Sequence, residues 1–227
     1  MAVKKEKTVD ATAGMIKTTE VLTITPPNFK TVLLNIEGVA PFVQLRFSEK
    51  TKNMMINKWT SETGSSKKGG KKDPKNIEAE YLGAMYETEK GDRGISASSF
   101  RNAAISACRI AGFKMTLAKL SIFVEADGFD KHDGTSLVII KGKPESCIHA
   151  VRNATGVVDL RVRAMWKKWT SSVKVRYDAD QFKKDDVVNL FMRVGMQVGV
   201  GEGRPDGKQS AGMGWGLFSI TNAVEIK

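Results

Sequence analysis

Between Val157 and Tyr177 apolar residues recur at every second position, with mostly charged residues between them. Val158, Leu160, Val162, Ala164 and Trp166 fall on one side, and Asp159, Arg161, Arg163, Met165 and Lys167 on the other. After a turn near Trp169-Thr170-Ser171, Val173, Val175 and Tyr177 alternate with Lys174 and Arg176. A period of two belongs to an extended chain whose side chains point alternately to two faces. The expectation is a two-stranded ribbon with core residues beneath and cations on its open face. Parity places Trp166 in the core and leaves Trp169, at the turn, as an exposed candidate for stacking on bases.

The charge is concentrated. Residues 49–76 carry eight lysines against three acidic residues, and residues 152–176 carry seven basic residues against one. These two stretches hold the whole net charge of +11, and the rest of the chain is balanced. Charge gathered in this way points to a polyanionic partner; the alternative is a pair of merely solvated faces. No apolar run reaches membrane-spanning length. The basic stretch Met1 to Lys7 is followed by no apolar segment, so the chain reads as cytoplasmic. Cys108 and Cys147 sit in apolar settings and read as small buried hydrophobes.

Residues 1–28, polar and ending in Pro26-Pro27, read as a flexible arm, and residues 29–227 as one domain. Thr31–Glu37 and Phe42–Phe47 read as strands. Residues 48–94 form an insertion whose segment 60–76 is Gly, Ser and Lys without an apolar residue, hence a mobile basic loop. Phe100, Ala103, Ala104, Ala107, Cys108 and Ala111 make the apolar face of a helix that opens at Ser96 or Ser98 and stops at Gly112. Leu120–Ala126, Ser136–Lys141 and Cys147–Val151 read as strands. A second helix covers 183–197, and a glycine-rich loop, 195–216, precedes a last strand. This order predicts an α+β, ferredoxin-like or RNA-recognition-motif-like antiparallel sheet with two helices.

In VGVGEGRPDGKQSAGMGWGLFSI the glycines permit close backbone approach, and a nest of amides with Arg204 suits a phosphate. Met213 and Trp215 are available for stacking. Gly199-Val200-Gly201-Glu202-Gly203 follows a helix rather than a strand, which rules against a dinucleotide fingerprint, and Lys208 lacks the frame of a P-loop. Asp127, Asp130, His132 and Asp133 share one acidic turn whose spacing matches neither an EF-hand nor a zinc site. No nucleophile–base pair stands at a useful spacing, so no catalytic, metal or cofactor residues are expected.

Ser98-Ser99-Phe100-Arg101-Asn102-Ala103-Ala104, followed late in the chain by VGVGEGRP and GMGWGLFSI, resembles the RAMP superfamily. The likeness is to backbone subunits of CRISPR effector complexes and small phage-encoded relatives. It implies an RRM-like palm with insertions, head-to-tail homo-oligomers or filaments, and single-stranded nucleic acid lying along them. The expected function is non-enzymatic binding of single-stranded RNA or DNA. Lys67, Lys68, Lys71, Lys72, Arg161, Arg163, Lys167, Lys168, Lys174, Arg176 and Arg204 would hold phosphates, and Trp169 and Trp215 would stack. The alternatives are a metal-dependent nuclease built on the acidic turn and a particle-forming protein with a genome-neutralising face.

Overall fold

The computed structural model describes residues 24–47, 49–60, 76–152, 156, 158–207 and 212–226. Most of the expected arm, and Lys67, Lys68, Lys71 and Lys72 of the basic loop, lie outside these residues. The chain runs through β1 (Phe29–Gly38), β2 (Phe42–Gln44), α1 (Glu49–Thr60), α2 (Ile77–Gly83), β3 (Tyr86–Glu87), β4 (Arg93–Ser96), α3 (Ala97–Ala111), α4 (Met115–Ser121) and β5 (Ile122–Glu125). It continues with β6 (Gly128–Phe129), β7 (Ser136–Lys141), β8 (Pro144–Arg152), β9 (Val158–Trp166), β10 (Thr170–Asp178), α5 (Lys184–Arg193) and β11 (Phe218–Ile226). None of the described helices is long and apolar enough to cross a membrane.

The sheet order carries the fold. β1 pairs antiparallel with β11 on one side and β10 on the other, and β10 pairs antiparallel with β5. With α3 between β1 and β5, and α5 between β10 and β11, this is a split βαββαβ unit of the ferredoxin-like α+β class. Alternation explains which face the helices cover. Val32, Leu34 and Ile36 of β1 and Val173, Val175 and Tyr177 of β10 are buried. Against them lie Phe100, Ala104, Ala107 and Cys108 of α3 and Val187, Leu190 and Phe191 of α5. Alanines at steps of three and four let α3 settle close to the strands. α3 ends where Gly112 adopts φ 70° and its N–H returns to the Cys108 carbonyl. On the opposite face of the sheet, from Thr31 and Leu33 across to Lys174 and Arg176, no helix packs among the described residues.

The predicted ribbon does not form. β10 belongs to the large sheet, whereas β9 pairs with β2 and β8 in a separate three-stranded sheet. The reason lies in the three residues between them. Trp169 is only 2% exposed, packs against Phe42 with centroids 5.6 Å apart, and donates its indole N–H to the Ala40 carbonyl at 2.9 Å. A Cβ on Gly38 would lie 2.1 Å from Trp169 Nε1, so only glycine leaves room for that ring. Burying Trp169 carries the chain from one sheet to the other. It is a core residue at the junction and not a stacking platform.

Two helices were not anticipated. α4 is seven residues long. α1 exposes Met54, Met55, Ile56 and Trp59 and has no apolar periodicity to announce it.

Candidate nucleic-acid interface

The cations expected to form one stripe are divided among several local partners. Arg163 is buried, and its guanidinium makes a two-point contact with Glu202 of the glycine-rich loop, Nε to Oε2 at 2.7 Å and Nη2 to Oε1 at 3.0 Å. Arg161 stands 3.8 Å from Asp159, Lys167 is 2.6 Å from Glu145, and Lys174 is 3.0 Å from Asp127. Arg176 stays exposed and stacks over Phe29 and Phe123. Lys168 is exposed at the sheet junction. The continuous basic ribbon is therefore broken up, because Glu202, Glu145 and Asp127 reach Arg163, Lys167 and Lys174 from other parts of the chain, which one-strand alternation does not reveal.

The glycine-rich loop is packed rather than open. Val200 N–H donates to the Gly216 carbonyl at 3.0 Å, Gly216 N–H to Pro41 at 2.8 Å, and Glu202 N–H to Val43 at 2.9 Å. Gly216 has φ 71°, and a Cβ there would lie 1.8 Å from the Val200 carbonyl oxygen. These amides fasten the loop to β2 and its approach, so they do not form the expected phosphate nest. Arg204 donates to the Gly201 carbonyl at 2.9 Å. Trp215 packs on Gly203 and faces His149 of β8, ring centroids 5.1 Å apart, which leaves it half-buried as a brace between loop and hairpin.

Between this loop and α3 lies a cleft of about 990 Å³. One wall is α3 and its approach: Ser96, Ser98, Ser99, Asn102, Ser106 and Arg109. The other is Val200–Gly207, with Arg204 among its residues, and Phe42, Gln44 and Tyr86 also line it. Ser96, the N-cap of α3, makes no side-chain capping bond, because its hydroxyl pairs with that of Ser98 at 2.8 Å. At one side the cleft is clasped. Asp206 accepts from the Ser106 hydroxyl and from Arg109 Nη2, the latter at 2.7 Å. Buried Gln44 donates to the Gly94 carbonyl at 3.0 Å and accepts the Tyr86 N–H at 3.2 Å. Burial, and then the Asp133 carboxylate, push the Tyr86 hydroxyl above its ordinary 10.0.

The sequence contained a signal for this wall. Ser99, Asn102, Ser106 and Arg109 follow steps of three, four and three, a polar stripe beside the apolar face of α3. The apolar face of the same helix dominates its pattern and hides it.

The acidic turn is committed to itself. Asp130 is buried, accepts the N–H groups of Glu87, His132 and Asp133, and pairs with buried Arg46 at 3.3 Å. Asp127 holds Lys174 and the Ile139 N–H. Burial alone would raise Asp133; hydrogen bonds from Thr135 and the Arg46 charge hold it below its ordinary 3.8. No group of three or more His, Cys, Asp or Glu suited to a metal occurs among the described residues.

No protein-family model and no curated protein matches the chain. Among solved structures it is similar to a chain of "Cryo-EM structure of the Type III-B Cmr-beta bound to cognate target RNA", at 12% identity and a TM-score of 0.47. That similarity covers 88% of this chain and 61% of the other, so the protein spans about three-fifths of its neighbour's length.

Proposed function

We propose that the protein binds single-stranded nucleic acid without cleaving it, seating the sugar–phosphate backbone in the cleft between α3 and the glycine-rich loop. In this reading it is a RAMP-type subunit that assembles head to tail with copies of itself. The observation that carries the proposal is the donor set of the cleft. Serine hydroxyls, an asparagine amide and arginines on opposite walls are the groups that contact phosphate and sugar oxygens. The first-turn amides of α3, left without a side-chain cap, add the positive end of a helix dipole. The carboxylates bordering the cleft, Glu202 and Asp206, are each neutralised by an arginine. A net charge of +11 favours a polyanion over other long ligands.

Fluorescence anisotropy with labelled single-stranded RNA, single-stranded DNA and duplex at several salt concentrations tests the reading. Single strands are expected to bind more tightly than duplex, and Ser98→Ala with Asn102→Ala to weaken that binding about tenfold or more while the fold persists. Failure of any single strand to bind in low salt, or identical affinity in the double variant, would overturn it. Mg²⁺-dependent cleavage of the probe that is lost in Asp130→Ala would replace it with the nuclease reading.

A further inference from the structure

The clasp across one side of the cleft engages donors of the kind that hold phosphate. Asp206 turns both carboxylate oxygens towards α3: Oδ2 accepts from the Ser106 hydroxyl, and Oδ1 from Arg109 Nη2 at 2.7 Å. Arg109 is steadied against its own helix, since Nη2 also meets the Ser106 Oγ at 2.5 Å. All three residues line the cleft. A carboxylate that takes one bond from a hydroxyl and one from a guanidinium is bound as the two non-bridging oxygens of a phosphodiester are bound.

Stability does not call for this contact. Glu202 N–H on Val43, Gly216 N–H on Pro41 and the buried Arg163–Glu202 pair already fasten the loop. Asp206 is set in place by its own N–H on the Val198 carbonyl at 3.3 Å, and Gly207 N–H closes the turn on the Arg204 carbonyl at 3.1 Å. The clasp, by contrast, is open to water: the Arg109 side chain is 58% exposed and that of Asp206 is 34% exposed. Ion pairs as exposed as this add little to folding.

We infer that Asp206 is an internal stand-in for a backbone phosphate. It occupies Ser106 and Arg109 in the free protein and gives way when a single strand brings a phosphodiester to the same two donors. The inference rests on the proposed cleft and adds a selectivity to it. Held on the same chain, Asp206 competes at an effective concentration that a dissolved anion does not reach. Inorganic phosphate and mononucleotides are therefore shut out. A strand already seated along Ser98 and Asn102 is delivered to Ser106 and Arg109 in the same intramolecular way, so it can displace the carboxylate. A clasp shut about nine-tenths of the time in the free protein lowers the apparent affinity about tenfold.

The test measures the affinity of the whole protein for a labelled single strand by fluorescence anisotropy. Asp206→Asn is expected to tighten binding about tenfold, and Arg109→Gln added to it to abolish that gain. Asp180→Asn removes the same charge from an exposed turn outside the cleft and is expected to leave affinity close to wild type. Inorganic phosphate is expected to compete with the strand in Asp206→Asn at concentrations that do not affect the wild-type protein. Unchanged or weaker binding by Asp206→Asn, a gain that Asp180→Asn reproduces, or a gain that survives Arg109→Gln would overturn the stand-in. Each of those results spares the cleft so long as Ser98→Ala with Asn102→Ala still weakens the wild-type protein. Absence of strand binding by the wild-type protein and by Asp206→Asn alike in low salt would overturn both.

Discussion

Replacing Arg163 by methionine keeps most of the aliphatic stem and removes the guanidinium, so it isolates the two-point contact with Glu202. Arg163 is 5% exposed at its side chain and Glu202 is 30% exposed. Hydrogen bonds to charged groups contribute about 1.5–3 kcal/mol, and truncating one partner of a fully buried pair costs about 3–5 kcal/mol. Water can reach Glu202 once its partner is gone, so the lower range applies, about 2 kcal/mol. For a chain of this size that lowers the thermal midpoint by about 4–8 °C. Arg161→Ala is the contrast: its partner Asp159 stands 3.8 Å away with both side chains well exposed, and such pairs are worth at most about 1 kcal/mol. The assay is urea unfolding followed by tryptophan fluorescence, with Glu202→Gln completing a double-mutant cycle. A coupling of about 1 kcal/mol or more is expected between 163 and 202. If Arg163→Met costs no more than Arg161→Ala, or the cycle shows no coupling, the glycine-rich loop is not held to β9 by this pair, and the rigidity argued for the cleft wall fails.

Trp169→Ala removes a buried ring together with its hydrogen bond to Ala40, and is expected to cost about 3–5 kcal/mol in equilibrium unfolding; a loss under about 1 kcal/mol would show that Trp169 is not part of the sheet junction. In acid, burial works to raise Glu87, but the hydrogen bond from Lys131 and the charge of Arg93 outweigh it and hold the carboxyl below its ordinary 4.5. A lowered folded value means that its contribution is complete above about pH 4.5 and is lost as pH falls through the folded value. Thermal midpoints should therefore drop on acidification below that point, less steeply in Glu87→Gln, and identical acid limbs in the two proteins would refute the assignment.

The parts of the fold that were legible in the sequence are those with one dry face. β1, β10, α3 and α5 each repeat apolar residues at their own period, and the ferredoxin-like class followed from their order. Alternation along β10 correctly separated Val173 and Val175 from Lys174 and Arg176, but along β9 it did not hold, since Val158 and Leu160, expected in the core, are exposed and Arg163, expected on the open face, is buried; alternation in any case fixes faces and not neighbours. A short link between two alternating segments looks like a hairpin unless one knows that Trp169 is drawn into the core. The expected basic ribbon failed for the same reason, since the acidic partners come from distant parts of the chain: Glu202, Glu145 and Asp127. α1 was illegible because a helix that buries little has no pattern to display. The cleft was half legible: Arg204 was picked out, whereas the polar stripe of α3 lies beside a stronger apolar pattern that masks it.

The pairing of Arg163, Lys167 and Lys174 leaves a division of labour that salt titration can expose. Within 61–75 five lysines stand against two acidic residues, and of the cations expected to act with Lys67, Lys68, Lys71 and Lys72, Arg163, Lys167 and Lys174 are paired with carboxylates. If the strand is positioned by the hydroxyls and amide of α3 and attracted mainly by those lysines, the two sets must differ in kind. For single strands each phosphate neutralised adds about 0.7 to the slope of log affinity against log salt. Changing Lys67, Lys68, Lys71 and Lys72 together to glutamine should flatten that slope by up to about three. Ser98→Ala with Asn102→Ala exchanges neutral donors, so it should shift the whole line to weaker binding with its slope intact. Equal slopes in the wild-type and lysine-free proteins would mean that those lysines touch no phosphate, and a slope that changed in the cleft variant would mean that α3 holds the strand through charge rather than through its hydroxyls.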